Sequence, residues 1–292
     1  MNKLVFLGSG VIIVILISIS IFFTKENTTN FEKNNFIQND LVFDLNYNPS
    51  GNRKNLDDVS EIFLQYSYEE DQNIDGSYRY TWFEPKNESL TILNELKNES
   101  KKTVVILPVF THSAYVSDGF YSYYEQKCSK DCLTVKIERE QPPQYNSGKN
   151  AIQILKILNY SFISDIEVDK NPDILKKYDK IILLHNEYVT QTEFDAITSH
   201  SKVIYLYPNS LYAQIEYDSK KDSISLIRGH GFPSSEIDNG FNWEFDNTRP
   251  DEFNTECKDW KFIEIPNGIM LNCYPEQIIW QDKALLKKIK EF

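Results

Sequence analysis

Hydrophobic and polar positions divide the chain into parts that differ in pattern. Residues 4–23 form an apolar run without a charged side chain, long enough to cross a bilayer as a helix. A cleavable signal peptide would have a shorter apolar core followed by small residues, and this run ends without them. We therefore predict an uncleaved signal anchor that leaves residues 1–3 as a cytoplasmic stub and the rest of the chain outside the cell.

The following part, residues 24–58, is rich in Asn, Asp, Lys and Ser and has no sustained helical or alternating period. Such a composition is typical of a flexible tether. From residue 59 the pattern changes, and aromatic residues alternate along residues 63–68 and 78–83 on either side of a polar loop. A period of two predicts strands, at the start of a domain that covers residues 59–292.

Between residues 103 and 215, the predicted core, apolar runs alternate with amphipathic segments. The predicted strands are 103–110, 133–137, 164–168, 180–185 and 202–207; the predicted helices are 119–126, 147–158 and one that begins at a capping box in residues 190–193. This alternation indicates right-handed crossovers and a mainly parallel sheet. We predict an α/β protein with a flavodoxin-like three-layer domain, followed by a β-hairpin at 213–217 and 223–228, an irregular C-terminal extension and a short basic helix at 283–290.

Charge and cysteine content narrow the function classes. A formal net charge of -12 argues against nucleic acid as a partner, because clusters of Lys and Arg are no larger than short pairs. The four cysteines, Cys128, Cys132, Cys257 and Cys273, form an even set that suits an oxidising compartment. Of the three possible pairings we favour 128 with 132 and 257 with 273. A zinc site is the alternative, although this spacing is not that of a zinc finger.

Four Asn-x-Ser/Thr sequons are a second sign of an outside location. They begin at Asn27, Asn87, Asn98 and Asn159, and they are glycan acceptors only if the domain lies outside the cell. Asn is abundant in this chain, so chance accounts for some of them. The sequence thus predicts a single-pass, membrane-anchored protein with an extracellular, disulfide-bonded and glycosylated domain.

The apolar run 180–184 ends abruptly in two side chains that bind metals in many proteins, His185 and Glu187. Residues two apart on an extended chain point to the same side. The carboxyl end of a buried strand is also where open α/β sheets place their ligands. His185 and Glu187 are therefore candidate site residues; the alternative is that each is a hydrogen-bonded structural residue. His230, between Gly229 and Gly231, has the same two interpretations.

Four segments of the core together resemble the large (beta) subunit of N,N-dimethylformamidase and its C-terminal-domain relatives. They are residues 111–115 with the tyrosine cluster 121–124, residues 135–142, residues 185–188 (His-Asn-Glu-Tyr) and residues 205–212. The resemblance covers about two fifths of the chain and implies a class I glutamine-amidotransferase-like α/β fold. It also implies a mononuclear iron, held by tyrosine phenolates and a glutamate, that serves to hydrolyse an amide C–N bond.

Two iron ligands follow from the resemblance. Tyr115 matches the tyrosine of its Ala-Tyr element and Glu187 matches the glutamate of its His-x-Glu-Tyr element, whereas the motif does not place a second tyrosine ligand. His185 is either a further ligand or a partner that orients Glu187. Val116 stands where the family usually has asparagine.

Three further residues are candidates for proton transfer. Asp118 and Glu138 are proton acceptors by their position in the sequence, and His112 lies close to Tyr115. The sequence contains no Gly-x-Ser-x-Gly elbow, and its cysteines do not follow a strand as an amidotransferase nucleophile would.

Two function hypotheses follow. The first is a membrane-anchored, metal-dependent hydrolase that acts on a small amide-like molecule. The second is a non-catalytic cell-surface module that uses the same fold for binding or for envelope structure.

Overall fold

The computed structural model describes residues 51–57, 59–76, 80–116 and 118–292. The strands are β1 (Arg53–Asp57), β2 (Phe63–Tyr68), β3 (Trp82–Pro85), β4 (Thr103–Leu107), β5 (Thr134–Lys136), β6 (Ser161–Ser164), β7 (Lys180–Leu183), β8 (Tyr188–Thr190), β9 (Val203–Tyr205), β10 (Ala213–Asp218), β11 (Ser223–Arg228), β12 (Phe262–Ile265) and β13 (Gly268–Leu271). The α-helices are α1 (Leu90–Leu96), α2 (Val109–Ala114), α3 (Phe120–Tyr124), α4 (Lys149–Ile157), α5 (Asp165–Lys170), α6 (Gln191–Thr198), α7 (Thr248–Asp251) and α8 (Lys283–Glu291).

The predicted anchor at 4–23 lies outside the described residues. Within the described ranges, no helix is long and apolar enough to cross a membrane. These ranges all fall in one compact unit, residues 40–292. Part of the segment predicted as a tether forms strand β1 instead. The polar residues of β1 pair with the aromatic strand β2.

A six-stranded sheet with the order β12-β13-β9-β7-β4-β6 forms the centre of the structure. Its strands from β6 to β13 pair in parallel, and β12 pairs with β13 antiparallel at the edge. Every residue of β4 and β7 is buried. A strand covered on both faces needs an uninterrupted apolar run, which is the pattern that predicted these two strands. The chain is an α/β protein, as predicted.

Two smaller sheets account for the remaining strands. One is antiparallel with the order β1-β2-β3, and the other is mixed with the order β5-β11-β10-β8. Strand β5 was expected in the main sheet, but it pairs antiparallel with β11. Its outer residues Thr134 and Lys136 are exposed and only Val135 turns inward, so it suits an edge and not a buried centre. The predicted hairpin is present as β10 and β11.

Two other expectations were wrong for local reasons. A strand was predicted at 164–168, but strand β6 ends at Ser164 and helix α5 follows it. The Ser164 hydroxyl accepts a hydrogen bond from the Glu167 amide, and the Glu167 carboxylate accepts one from the Ser164 amide. This reciprocal cap starts a helix. The C-terminal extension is also less irregular than predicted, since β12 and β13 complete the main sheet.

All four cysteines form the two disulfides that the sequence analysis favoured, Cys128–Cys132 and Cys257–Cys273. The zinc alternative is thereby excluded. The sequons differ from one another in the folded chain: Asn87 is exposed, whereas Asn98 is buried and its amide donates to the Ser100 carbonyl oxygen.

A buried carboxyl group, Glu276, joins the C-terminal extension to helix α4. Its two oxygens accept hydrogen bonds from the amides of Asn150 and Ala151, in the first turn of the helix, and from the Tyr207 hydroxyl. The amides of a helix N-terminus attract negative charge. Burial nevertheless dominates and raises the pKa of Glu276 to about 7.

The first prediction concerns this carboxyl group. Because the pKa of Glu276 is higher in the folded chain than in the unfolded one, the folded state binds the proton more tightly, and stability falls as the pH rises from about 4.5 through about 7. Glu276→Gln removes this titration. Urea unfolding at pH 5 and pH 8 should show the stability of the wild type falling, relative to the variant, by roughly 2–3 kcal/mol. Glu88→Gln, at an exposed position, is the control, and an equal shift there would contradict the assignment.

The second prediction concerns Gly268, which pairs with Val203 across β13 and β9. A Cβ atom at this position would lie 1.9 Å from the Val203 carbonyl oxygen. Gly268→Ala must therefore push β13 away from β9, and we expect a loss of about 3 kcal/mol or more in the free energy of unfolding, measured in urea. Gly76→Ala, in an exposed turn at a φ of +86°, is the control and should cost only about 1 kcal/mol. Equal losses would contradict this account.

Candidate functional site

The candidate site lies beyond the carboxyl ends of the adjacent strands β4 and β7. The chain leaves β4 towards β6 on one side and leaves β7 towards β9 on the other. Such a point of divergence opens a crevice at the edge of a parallel sheet, and ligands usually bind there. Helix α2 follows β4 and ends at Ala114, with Tyr115 as its C-cap, and residues 184–187 follow β7.

Two tyrosines and one glutamate meet at this edge. The Tyr115 hydroxyl donates to Glu187 Oε2 at 2.8 Å and lies 2.5 Å from the Tyr121 hydroxyl. The two phenol rings stack with their centres 4.2 Å apart. Tyr121 is a second tyrosine beside Tyr115, and no motif had placed it. It comes from helix α3, within the tyrosine cluster 121–124 that the sequence analysis had noted.

His185 is held in one orientation by the turn that precedes helix α4. Its Nδ1 lies 2.8 Å from the Asn146 carbonyl oxygen, which can only accept, so Nδ1 carries the proton. In the neutral ring, Nε2 then has a free lone pair. That nitrogen is buried without a hydrogen-bond partner, 3.8 Å from Glu187 Oε2. This geometry suits a metal ligand or a group that orients a bound molecule.

His230 approaches the same carboxylate from the loop after β11. Its Nε2 lies 3.4 Å from Glu187 Oε1 and 3.5 Å from the Tyr121 hydroxyl. The residue has a φ of 56° between two glycines, a conformation that bends the backbone sharply. The Tyr124 ring stacks on the imidazole at 4.3 Å. The sequence analysis had left His230 open, and the structure brings it to the cluster.

The electrostatics of the cluster centre on Glu187, which is fully buried. Burial by itself acts to raise the pKa of Glu187, but the hydrogen bond and charge of His230, with His185 and Tyr115, outweigh it, and the pKa is lowered. Burial likewise acts to lower the pKa of His230, yet Glu187 raises it above the usual value. Burial, followed by the carboxylate of Glu187, holds the pKa of Tyr115 well above 10.

Asn209 and Glu252 add a second acidic group near the cluster. The Asn209 side chain follows β9 and donates from Nδ2 to Glu252 Oε2 at 2.8 Å. Glu252 is half-buried, and its pKa is raised overall. Burial is the main cause and the charge of Glu187 adds to it, whereas Asn209 and His230 act in the opposite direction. No sequence motif marked Glu252, which lies just beyond helix α7; Asn209 fell within one of the segments that carry the family resemblance.

Several buried polar atoms around this edge have no hydrogen-bond partner in the described chain. Polar atoms in protein interiors are almost always paired, so a concentration of unpaired ones indicates a place for a polar ligand, an ion or water. Those in the loops around the site are Asn146 Oδ1, His185 Nε2, Asn186 Nδ2 and Asn209 Oδ1.

The three residues expected to transfer protons each have their own local surroundings in the structure. Asp118 is exposed, in the turn before α3. The Glu138 carboxylate accepts hydrogen bonds from the amides of Glu140 and Gln141 and so closes its own loop. His112 is buried with Nδ1 3.2 Å from the Ser147 hydroxyl, and burial lowers its pKa to about 4.

The donor set fits an iron ion. The residues described include no group of three or more His, Cys, Asp and Glu side chains suited to a metal, so a metal here would depend on the tyrosines. Donor atoms that share one metal at about 2 Å lie roughly 3 Å apart. The atoms of Tyr115, Tyr121, Glu187 and His185 are 2.5–3.8 Å from their neighbours. Phenolate and carboxylate oxygens are hard donors, which a ferric ion prefers.

Comparison with known proteins adds no name to this site. No protein-family model matches the sequence. No curated protein is significantly similar to it. The function proposed below therefore rests on the geometry of the site, on general chemistry and on the resemblance carried by the motifs.

Proposed function

We propose that this protein is a metal-dependent hydrolase that cleaves the C–N bond of a small amide, with iron as the metal. The observation that carries the proposal is the convergence of Tyr115, Tyr121 and Glu187 at the sheet edge. The motif predicted one tyrosine and one glutamate from segments 72 residues apart, and their side chains form a direct hydrogen bond. Tyr121, beside them, would serve as the second tyrosine that an N,N-dimethylformamidase-like site requires.

The arrangement of the main sheet supports the finer description of the fold as flavodoxin-like or class I glutamine-amidotransferase-like. Its parallel strands have the spatial order β6-β4-β7-β9-β13. In chain order this is second, first, third, fourth and fifth, which is the flavodoxin-like order. The site lies at the switch point that this order creates between β4 and β7.

In the proposed reaction, water adds to the amide carbonyl carbon, the C–N bond breaks, and a carboxylic acid and an amine leave. A bound ferric ion would polarise the carbonyl and lower the pKa of a bound water. Tyr115, Tyr121 and Glu187 would hold the ion. Glu252, with Oε2 held by Asn209, would accept a proton from the attacking water and return it to the amine nitrogen. His185 would orient the substrate through Nε2.

We further propose that the hydrolase is tethered to a membrane by residues 4–23, with its domain outside the cell. The two disulfides support an oxidising location. The second candidate function is a non-catalytic binding module. The aromatic mouth of the site favours it, since Tyr124 stacks on His230 and Tyr123 packs edge-on against Phe232, as in surfaces that bind ligands by stacking.

The third prediction tests the metal site. The full-length chain, reconstituted with ferric iron, should hold one iron per protein and absorb visible light, because phenolate-to-ferric charge transfer lies in the visible range. Tyr115→Phe, Tyr121→Phe and Glu187→Gln each remove one donor atom, so iron affinity should fall at least tenfold. Iron content is measured by elemental analysis, and the visible band should disappear with the double tyrosine variant.

Tyr123→Phe is the matched control, because Tyr123 belongs to the same aromatic cluster and contacts Tyr124 and Phe232. It should retain both the iron and the band. Stoichiometric iron in the Glu187→Gln variant would contradict the ligand assignment. A wild-type chain that binds no metal from any preparation would favour the binding module.

The fourth prediction tests Glu252 as the proton acceptor. Glu252→Gln should lower kcat on small amides such as N,N-dimethylformamide by about 100-fold, because general base catalysis contributes an effect of that order. Iron content should stay at the wild-type level, which separates proton transfer from metal binding. The exposed Glu244→Gln variant should keep wild-type turnover. If Glu252→Gln turns over at the wild-type rate, another group accepts the proton.

A further inference from the structure

A cavity lies between strand β3, the loop at 142–143 and helix α4. Its empty volume is about 420 Å³, a figure that includes the solvent-filled space at its open mouth. We call it the α4 cavity. None of the residues that line it belongs to the Tyr115–Glu187 cluster or to the Asn209–Glu252 pair. A ligand here would therefore occupy a site separate from the proposed metal site.

The walls of the α4 cavity are flat and mostly apolar. Trp82 and Tyr80 line one part, Pro142 and Pro143 another, and Ile152 of helix α4 contributes an aliphatic surface. Indole, phenol and pyrrolidine rings are rigid, so they leave open a slot that flexible side chains would fill. Flat rings in a ligand gain both burial and stacking against such walls. The shape favours a compact ligand with a ring.

The polar side of the α4 cavity is cationic. Lys149 and Lys156, two turns apart on helix α4, both line it. Among the described residues, Lys149 forms no salt bridge, although it is half-buried and burial lowers its pKa, an effect that Glu276 and Asp71 only partly offset. An ammonium group that has lost much of its water without gaining a close anion is poorly compensated. The chain as a whole is acidic, with a net charge of -12, whereas two lysines line this cavity.

We propose that the α4 cavity binds a small organic carboxylate with a ring-shaped body. The carboxylate would pair with the Lys149 ammonium, and the ring would lie between the Trp82 indole and the proline wall. A charge-assisted hydrogen bond supplies the polar contact and the apolar walls supply the burial. A small inorganic anion would satisfy the ammonium alone and leave the walls exposed, whereas a neutral ring would leave the ammonium uncompensated.

Benzoate is the probe for this site, with benzamide as its neutral counterpart of the same shape and acetate as the same anion without a ring. Binding to the full-length chain is measured by isothermal titration calorimetry. Benzoate should bind saturably, and both benzamide and acetate should bind at least tenfold more weakly. Equal binding of benzamide, equal binding of acetate, or no saturable binding of benzoate up to the millimolar range would each overturn the proposal.

Two variants locate the binding. Lys149→Met keeps an unbranched side chain one heavy atom shorter and removes its charge, and benzoate affinity should fall at least tenfold. Lys288→Met, at an exposed position on helix α8, should leave benzoate affinity unchanged. Circular dichroism and the thermal midpoint confirm that both variants fold. Unchanged benzoate binding in Lys149→Met would overturn the proposal.

The same variants keep this inference distinct from the proposed metal chemistry. Glu187→Gln and Tyr115→Phe should bind benzoate as the wild type does, since neither residue lines the α4 cavity. Loss of benzoate binding in these two variants would assign the carboxylate to the metal site and overturn the proposal for the α4 cavity.

Discussion

The buried carboxylate of Glu187 is the interaction on which the rest of the site depends. A buried charge costs several kcal/mol unless other groups compensate it. Here the compensation comes from separate parts of the chain: Tyr115 after β4, His185 beside it after β7, and His230 after β11. Each of these groups must reach the same point, so the end of helix α2 and the glycine-flanked loop around His230 are both fixed in relation to β7. The geometry of the candidate site therefore depends on the packing of the sheet edge.

A short turn, residues 145–147, connects this centre to the C-terminal extension. The Asn146 carbonyl accepts from His185, the Tyr145 carbonyl accepts from the Tyr274 hydroxyl at 2.8 Å, and Ser147 lies against His112. The proton on His185 Nδ1 is thus placed by a backbone carbonyl in a turn that Tyr274, after β13, and His112, in α2, both contact. His112, expected to transfer protons, instead packs against this turn. The role of the C-terminal extension is to hold the turn, through Tyr274 and through the cap that Glu276 places on helix α4.

The sequence predicted those strands and site residues that a local pattern along the chain determines. The buried strands β4 and β7 follow from apolar runs, and Tyr115 and Glu187 from motifs at the ends of those runs. Tyr121, His230 and Glu252 reach the site from α3, from the loop after β11 and from beyond α7, and no spacing along the chain encodes that meeting. Strand β13 was hard to predict for a related reason. Strand β13 contains Gly268, a weak strand former, which is required because the β9 backbone passes too close for any Cβ atom.

The cluster also bears on which ion the site would select. The Tyr115 hydroxyl links the Tyr121 hydroxyl to the Glu187 carboxylate by hydrogen bonds. When both phenols bind as phenolates, they and Glu187 carry three negative charges. A trivalent ion neutralises that set in a buried place, whereas a divalent ion leaves one charge uncompensated where water cannot solvate it. With His230 neutral, charge balance would favour ferric iron over zinc or magnesium at the proposed site, independently of the preference of hard oxygen donors for hard ions.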